Sequence, residues 1–265
     1  MRSIWIILLV FAWVFLSHNS FGQKQAEKSS NKKDSYNSVK SRVNTSDIQR
    51  LLRDAERIKT TDPKAALENV QEALAMSIAG EDYFNEGKSY VLLGEINESI
   101  QEWKLALDNY LNAYQKLSQS EDQVDGKNAL KKVSADDGAS ELKKALTGLG
   151  NTNFKLGQFD DALKYYQELL TNNLSPEEKS ECHLNISEVY SGLKDYDRAL
   201  KVLDETNDIS RKKNSSLSIR IQNQRAKIYL QQNQLDKTQK LYFNSLDDMR
   251  SGQAAANPSV QQSTQ

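Results

Sequence analysis

Residues 149–166 read LGNTNFKLGQFDDALKYY. In the middle, Leu156-Gly157-Gln158-Phe159 reads as a short turn that ends in an aromatic placed to close over the two flanking segments. Asp160 and Asp161 follow, and acidic side chains favour a helix N-terminus because they offset its positive dipole end. Leu163, Tyr166, Leu169 and Leu170 then recur at helical spacing. On the upstream side, Leu149-Gly150 puts a small residue twelve positions before Ala162. Two antiparallel helices approach most closely where their side chains are small, so Gly150 and Ala162 are expected at a helix–helix crossing.

The same pattern returns along the chain, which marks an internal repeat. Ala66-Val70-Ala73, Ala106-Tyr110-Ala113 and Ala162-Tyr166-Leu169 share it, and Ala199-Leu203-Thr206 and Thr238-Tyr242-Ser245 are weaker copies. Their first residues are spaced by 40, 56, 37 and 39. Leu93-Gly94, Ile186-Ser187 and Arg225-Ala226 occupy the place of Leu149-Gly150, each small at the second position. Gly94, Gly150, Ser187 and Ala226 are thus expected to face Ala66, Ala106, Ala162 and Ala199 as the two sides of the crossings. Leu193-Lys194-Asp195-Tyr196 reads as a second interhelix turn, followed by Asp197-Arg198-Ala199-Leu200. The long interval holds an insertion near 118–140, read as a solvated linker with a helical turn at Ala129–Val133. Its acids do not make a calcium loop, because Asp122-Gln-Val-Asp125-Gly126 lacks alternating ligands.

The unit at 149–166 resembles a tetratricopeptide repeat, and the resemblance covers residues 47 to 249 as five units. It departs from the family where Asn97 and Asn153 replace an aromatic, Asp54 a small residue and Thr238 an alanine. The resemblance implies an all-α, right-handed α-solenoid of antiparallel helix pairs over residues 45–250. It also implies that the first helix of each unit lines a concave groove that binds a peptide or protein. Projected onto that face are Lys88, Val91, Glu95 and Glu98, then Lys144, Thr147, Asn151 and Phe154. Glu181, Leu184 and Glu188 continue the face, with Arg220, Asn223 and Lys227 from the last unit. This mixed set does not reproduce the Lys/Asn/Arg cluster with which some family members hold a peptide's terminal carboxylate.

Residues 1–22 are a different material. Arg2 precedes an unbroken apolar run from Ile4 to Leu16, too short for a spanning helix and suited to a signal peptide. Ser20-Phe21-Gly22 suits cleavage before Gln23, and the alternative is an uncleaved membrane anchor. No Cys follows the run to carry a lipid. The chain is therefore expected to be exported, periplasmic or associated with the cell envelope. Residues 23–44 are rich in Ser, Lys and Asn and read as a disordered linker, with attraction to anionic lipid as the other reading.

Composition narrows the function. Of 265 residues, 35 are Lys or Arg and 36 Asp or Glu, a balance that argues against general nucleic-acid binding. Two His and one Cys are too few for a His/Cys zinc site or an intrachain disulfide. The scattered glycines form no phosphate loop. Cys182 and His183 are neighbours whose side chains point about 100° apart on a helix, so they are expected to pack rather than react. Trp103 shares a stripe with Leu107 and Tyr110 and is expected in the core. No catalytic residue, metal or cofactor is expected, and the function expected is a non-enzymatic interaction scaffold. The alternative is the sensor region of a membrane signalling protein such as a histidine kinase, although this chain carries no kinase motif. Leu241, Tyr242, Phe243, Leu246 and Met249 crowd the last helix with no polar cap, so a partner, a second copy or a downstream domain is expected there. Residues 251–265 are expected to be a disordered tail.

Overall fold

The computed structural model describes residues 44–124, 135–206 and 216–256. The expected signal peptide and linker lie outside them up to residue 43, and so does the expected helical turn at 129–133. Among the described residues there are ten helices and no strand. They are α1 (Thr45–Ile58), α2 (Pro63–Gly80), α3 (Tyr83–Ser99), α4 (Trp103–Val124) and α5 (Ala135–Lys155). α6 (Phe159–Thr171), α7 (Pro176–Gly192), α8 (Tyr196–Asp204), α9 (Ser216–Gln231) and α10 (Leu235–Ala256) follow. Consecutive helices pair as α1/α2, α3/α4, α5/α6, α7/α8 and α9/α10, and the first helices of successive pairs also touch. The result is an α-solenoid of five helix pairs.

Helix starts follow from local chemistry. Asp62, Asp82 and Asp195 each accept a hydrogen bond from the backbone N–H three residues on, satisfying a donor that the first turn leaves open. Ser175 and Glu178 form a reciprocal capping box ahead of α7, with Pro176 in its first turn.

The turns inside the later pairs are copies of one another. Gln101, Gly157, Lys194 and Asn233 all have left-handed backbone, with φ of 63°, 76°, 61° and 59°. In each, the next N–H closes back on the carbonyl five residues earlier: Glu102 on Asn97, Gln158 on Asn153, Asp195 on Tyr190 and Gln234 on Tyr229. This is the helix-ending arrangement that favours glycine, yet only Gly157 is one.

The space left by the glycines of the repeat is taken up by tyrosine rings. A methyl group added at Gly94 would lie 2.6 Å from the Tyr110 ring, at Gly148 2.3 Å from the same ring, and at Gly150 2.3 Å from Tyr166. The tyrosine four residues after each alanine is therefore what the glycine accommodates. Ala106 and Ala162 are fully buried beside it. The residues that depart from the family are also satisfied. Asn97 and Asn153 are buried and donate to the carbonyls of Leu93 and Leu149, both at 2.8 Å. Thr238 donates to the carbonyl of Gln234 at 3.1 Å.

The expected insertion is smaller than its sequence implies, because the helices on both sides grow into it. α4 runs to Val124 and α5 begins at Ala135. Likewise α10 continues to Ala256, into the stretch expected as a tail. Neither extension contains a proline or a left-handed turn that would stop a helix.

Both the ring contacts and the turns can be tested by substitution. Gly150→Ala drives a methyl group into a buried ring and should lower the unfolding free energy by about 2 kcal/mol in urea denaturation. Lys194→Gly should instead raise it by about 0.5–1 kcal/mol, because glycine adopts the left-handed turn without strain.

Candidate binding groove

A concavity lies between the first helices of the second and third pairs. Glu95 and Glu98 of α3, and Ser140, Lys143, Lys144, Thr147, Gly148 and Asn151 of α5, enclose about 350 Å³ together with Tyr110 and Glu178. Tyr110 reaches it because Gly94 and Gly148 leave room for its ring to pass between α3 and α5.

A hydrogen-bond network organises its floor. The Tyr110 hydroxyl donates to Glu98 Oε2 at 2.9 Å. The Tyr166 hydroxyl donates to Asn151 Oδ1 at 2.6 Å, and Asn151 lines the cavity together with Glu98. Burial holds both phenols far above their ordinary pKa, so they remain donors at any physiological pH. Burial also raises the Glu98 pKa, reinforced by the charge of Glu95 and opposed by the bonds from Tyr110 and Asn151.

The surrounding cations have partners. Lys59 lies 2.5 Å from Glu95 and 2.9 Å from Glu56; burial disfavours its charge, but the two carboxylates outweigh that and raise its pKa. Lys143 pairs with Glu178 at 3.3 Å. Lys144 and Lys88 converge on the buried Glu141 at 3.2 and 3.7 Å.

Of the residues expected in a groove, Glu95, Glu98, Lys144, Thr147 and Asn151 come together here. Lys88 is instead drawn to Glu141. Phe154 is half-buried against Phe159, with ring centres 5.9 Å apart. Glu188 is half-buried further along, and Arg220 is engaged by Glu181. Asn223 and Lys227 are exposed on α9, away from this cavity. Val91 and Leu184 are not groove residues. They are 1% and 2% exposed, packed with Ala145 and Leu117 in one case and with Ile221 and Leu203 in the other. The first helices stack on one another, so a position midway along them falls on the seam between units. Lys143, Tyr110 and Gly148 are lining residues that the face projection misses. A tyrosine rather than a leucine at an otherwise apolar position is the one signal in the sequence for Tyr110.

Cys182 and His183 take packing roles. The Cys182 thiol is buried, donates to the Tyr166 carbonyl at 3.4 Å and is pushed up to about 12 by burial. His183 is buried, its Nε2 3.5 Å from Glu205. Burial lowers its pKa; Glu205 opposes that and Lys179 adds to it. Among the described residues no group of three or more His, Cys, Asp or Glu is placed to hold a metal, and no helix is long and apolar enough to cross a membrane. At the far end, Leu235, Tyr242, Phe243 and Leu246 of α10 are all exposed, as is Leu230 of α9.

Residues 144–173, which run from the groove-lining part of α5 through α6, match the tetratricopeptide repeat family. This stretch is a tetratricopeptide repeat, and the solenoid around it has the fold of such repeats. The chain is similar to the apo form of RapI at 10% identity, covering 78% of this chain and 71% of that one with a TM-score of 0.63. It is similar to the nearly identical TPR-like repeats of a Podosopora anserina kinesin light chain at 14% identity, 79% and 96% coverage and a TM-score of 0.59. It is also similar to BtubC (BKLC) of P. vanneervenii at 15% identity, 77% and 74% coverage and a TM-score of 0.51. Comparison with curated proteins gives no match.

His183 sets a pH dependence. Its pKa is lower in the folded chain, so the unfolded chain binds the extra proton and stability falls as pH drops below the ordinary value of about 6.5. The melting temperature should fall between about pH 7.5 and about pH 5.5, and His183→Gln should shrink that fall.

Proposed function

We propose that this chain is a non-enzymatic interaction scaffold that holds a peptide or a protein segment between its first helices. The observation that carries this is the cavity between α3 and α5, polar at its floor and bordered by Lys143 and Lys144. A tetratricopeptide repeat supplies one wall of it. Stacked helix pairs present such concave surfaces to partners as a consequence of their curvature. The scaffold works outside the cytoplasm on our reading of the Ile4–Leu16 run and of Ser20-Phe21-Gly22. The exposed apolar side chains of α10 offer a second contact, taken by a partner protein or another copy.

The full chain, used as bait on the proteins of its own cell envelope and cross-linked through its lysines, should give cross-links at Lys143 and Lys144. Asn151→Ala should reduce their yield several-fold. Cross-links confined to the outer helices α4, α6 and α8 would overturn the groove assignment. Light scattering across a concentration series should show mass above the monomer, and Phe243→Ser with Leu246→Ser should restore the monomer.

A further inference from the structure

The charges around the groove are matched except at one place. Lys59 answers Glu95, Lys143 answers Glu178, and Lys144 and Lys88 answer Glu141. Among the described residues Glu98 has no ion-pair partner, and Lys155 acts on it only from a distance. Yet this carboxylate is not left to solvent. It is half-buried on the wall of the cavity, with two neutral polar groups from different helix pairs beside it. One is the Tyr110 hydroxyl, 2.9 Å away, whose ring is wedged between Gly94 and Gly148. The other is Asn151, oriented by the Tyr166 hydroxyl at 2.6 Å. The Tyr110 donor fixes the direction of the carboxylate without neutralising it. A desolvated negative charge with no counter-charge is unfavourable, and the ligand that relieves it is a cation.

We propose that Glu98 anchors a lysine or arginine side chain of a peptide segment bound between α3 and α5. This rests on the groove assigned above and names the chemistry of its occupant. Glu98 supplies the negative charge, Tyr110 holds its carboxylate, and Asn151, positioned by Tyr166, lines the cavity beside it. The cation enters the cavity beside Thr147 and adds a charge-assisted hydrogen bond to Glu98. The neighbouring carboxylate, Glu95, is already occupied by Lys59, which leaves Glu98 to set the preference.

The test uses the full-length chain on an array of synthetic peptides with acetylated N-termini, so that side chains are their only cations. The bound peptides should share a Lys or Arg. Replacing the Arg of a bound peptide by its neutral isostere citrulline should weaken binding about tenfold or more. Glu98→Gln keeps an acceptor for Tyr110 and should retain the wild-type melting temperature. It should bind the Arg peptide about tenfold more weakly and lose sensitivity to the citrulline exchange. Should Glu98→Gln melt early, the citrulline comparison on the wild-type chain decides alone. Bound peptides that cross-link to Lys143 or Lys144 but contain no basic residue would overturn the anchor while leaving the groove standing. So would an equal citrulline effect in wild type and Glu98→Gln. Binding only to peptides with a free N-terminus would assign the site to a terminal ammonium and overturn the side-chain anchor. Absence of any peptide cross-link in the groove would overturn the anchor and the groove together.

Discussion

Everything in the middle of this solenoid depends on one aromatic ring being allowed into a space that only glycine leaves. Tyr110 is 2% exposed and lies against Gly94 of its own helix pair and Gly148 of the next. A single ring thus sets the separation of three helices, α3, α4 and α5. Because the ring lies between backbones, its hydroxyl has one direction left, toward Glu98. The packing constraint and the polar floor of the groove are the same residue seen from two sides. Tyr166 repeats the arrangement one unit on, against Gly150, with its hydroxyl delivered to Asn151. The two hydroxyls end on Glu98 and Asn151, which line one cavity from either side of the boundary between repeats.

The repeat is legible in the sequence because its spacing is a physical period. Gln101, Gly157, Lys194 and Asn233, the left-handed residues of the turns inside the later pairs, are separated by 56, 37 and 39, the same intervals that separate Ala106, Ala162, Ala199 and Thr238. A helix pair fixes how far apart its turn and its crossing must be, so both features move together. The left-handed turns at Gln101 and Asn233 are not legible, since nothing in either residue alone demands positive φ. The hydrogen bonds around them impose it. The insertion misleads for a related reason. Its polar composition reads as linker, but a helix already nucleated by packing extends through polar residues at little further cost.

The groove is legible only in part. Helical spacing identifies which residues share a face, and it brings Glu95, Glu98, Lys144 and Asn151 to one place. It does not say how much of that face the neighbouring helix covers, and so Val91 and Leu184 pass for surface. Nor does it report pairing across units: Lys88 of α3 is tied to Glu141 of α5, a buried carboxylate that Lys144 of the same helix also meets. Tyr110 is invisible as a lining residue because it arrives from the second helix of its pair, through a gap that exists only in three dimensions.

The buried apolar clusters are not confined to single pairs. Leu146 of α5 shares one with Tyr166 of α6 and Val189 of α7, while Ile221 and Ile228 of α9 join Ala199 and Leu203 of α8. Each pair is therefore anchored by the next, and the chain of support stops at α9. None of the described side chains of α10 enters a buried apolar cluster; Thr238 is its buried contact. Local opening there exposes no buried apolar cluster, so α10 is expected to exchange its amide hydrogens early and to detach while the groove stays intact. The solenoid is in this sense hinged at its end: whatever takes hold of α10 can move it without disturbing the Tyr110 wedge.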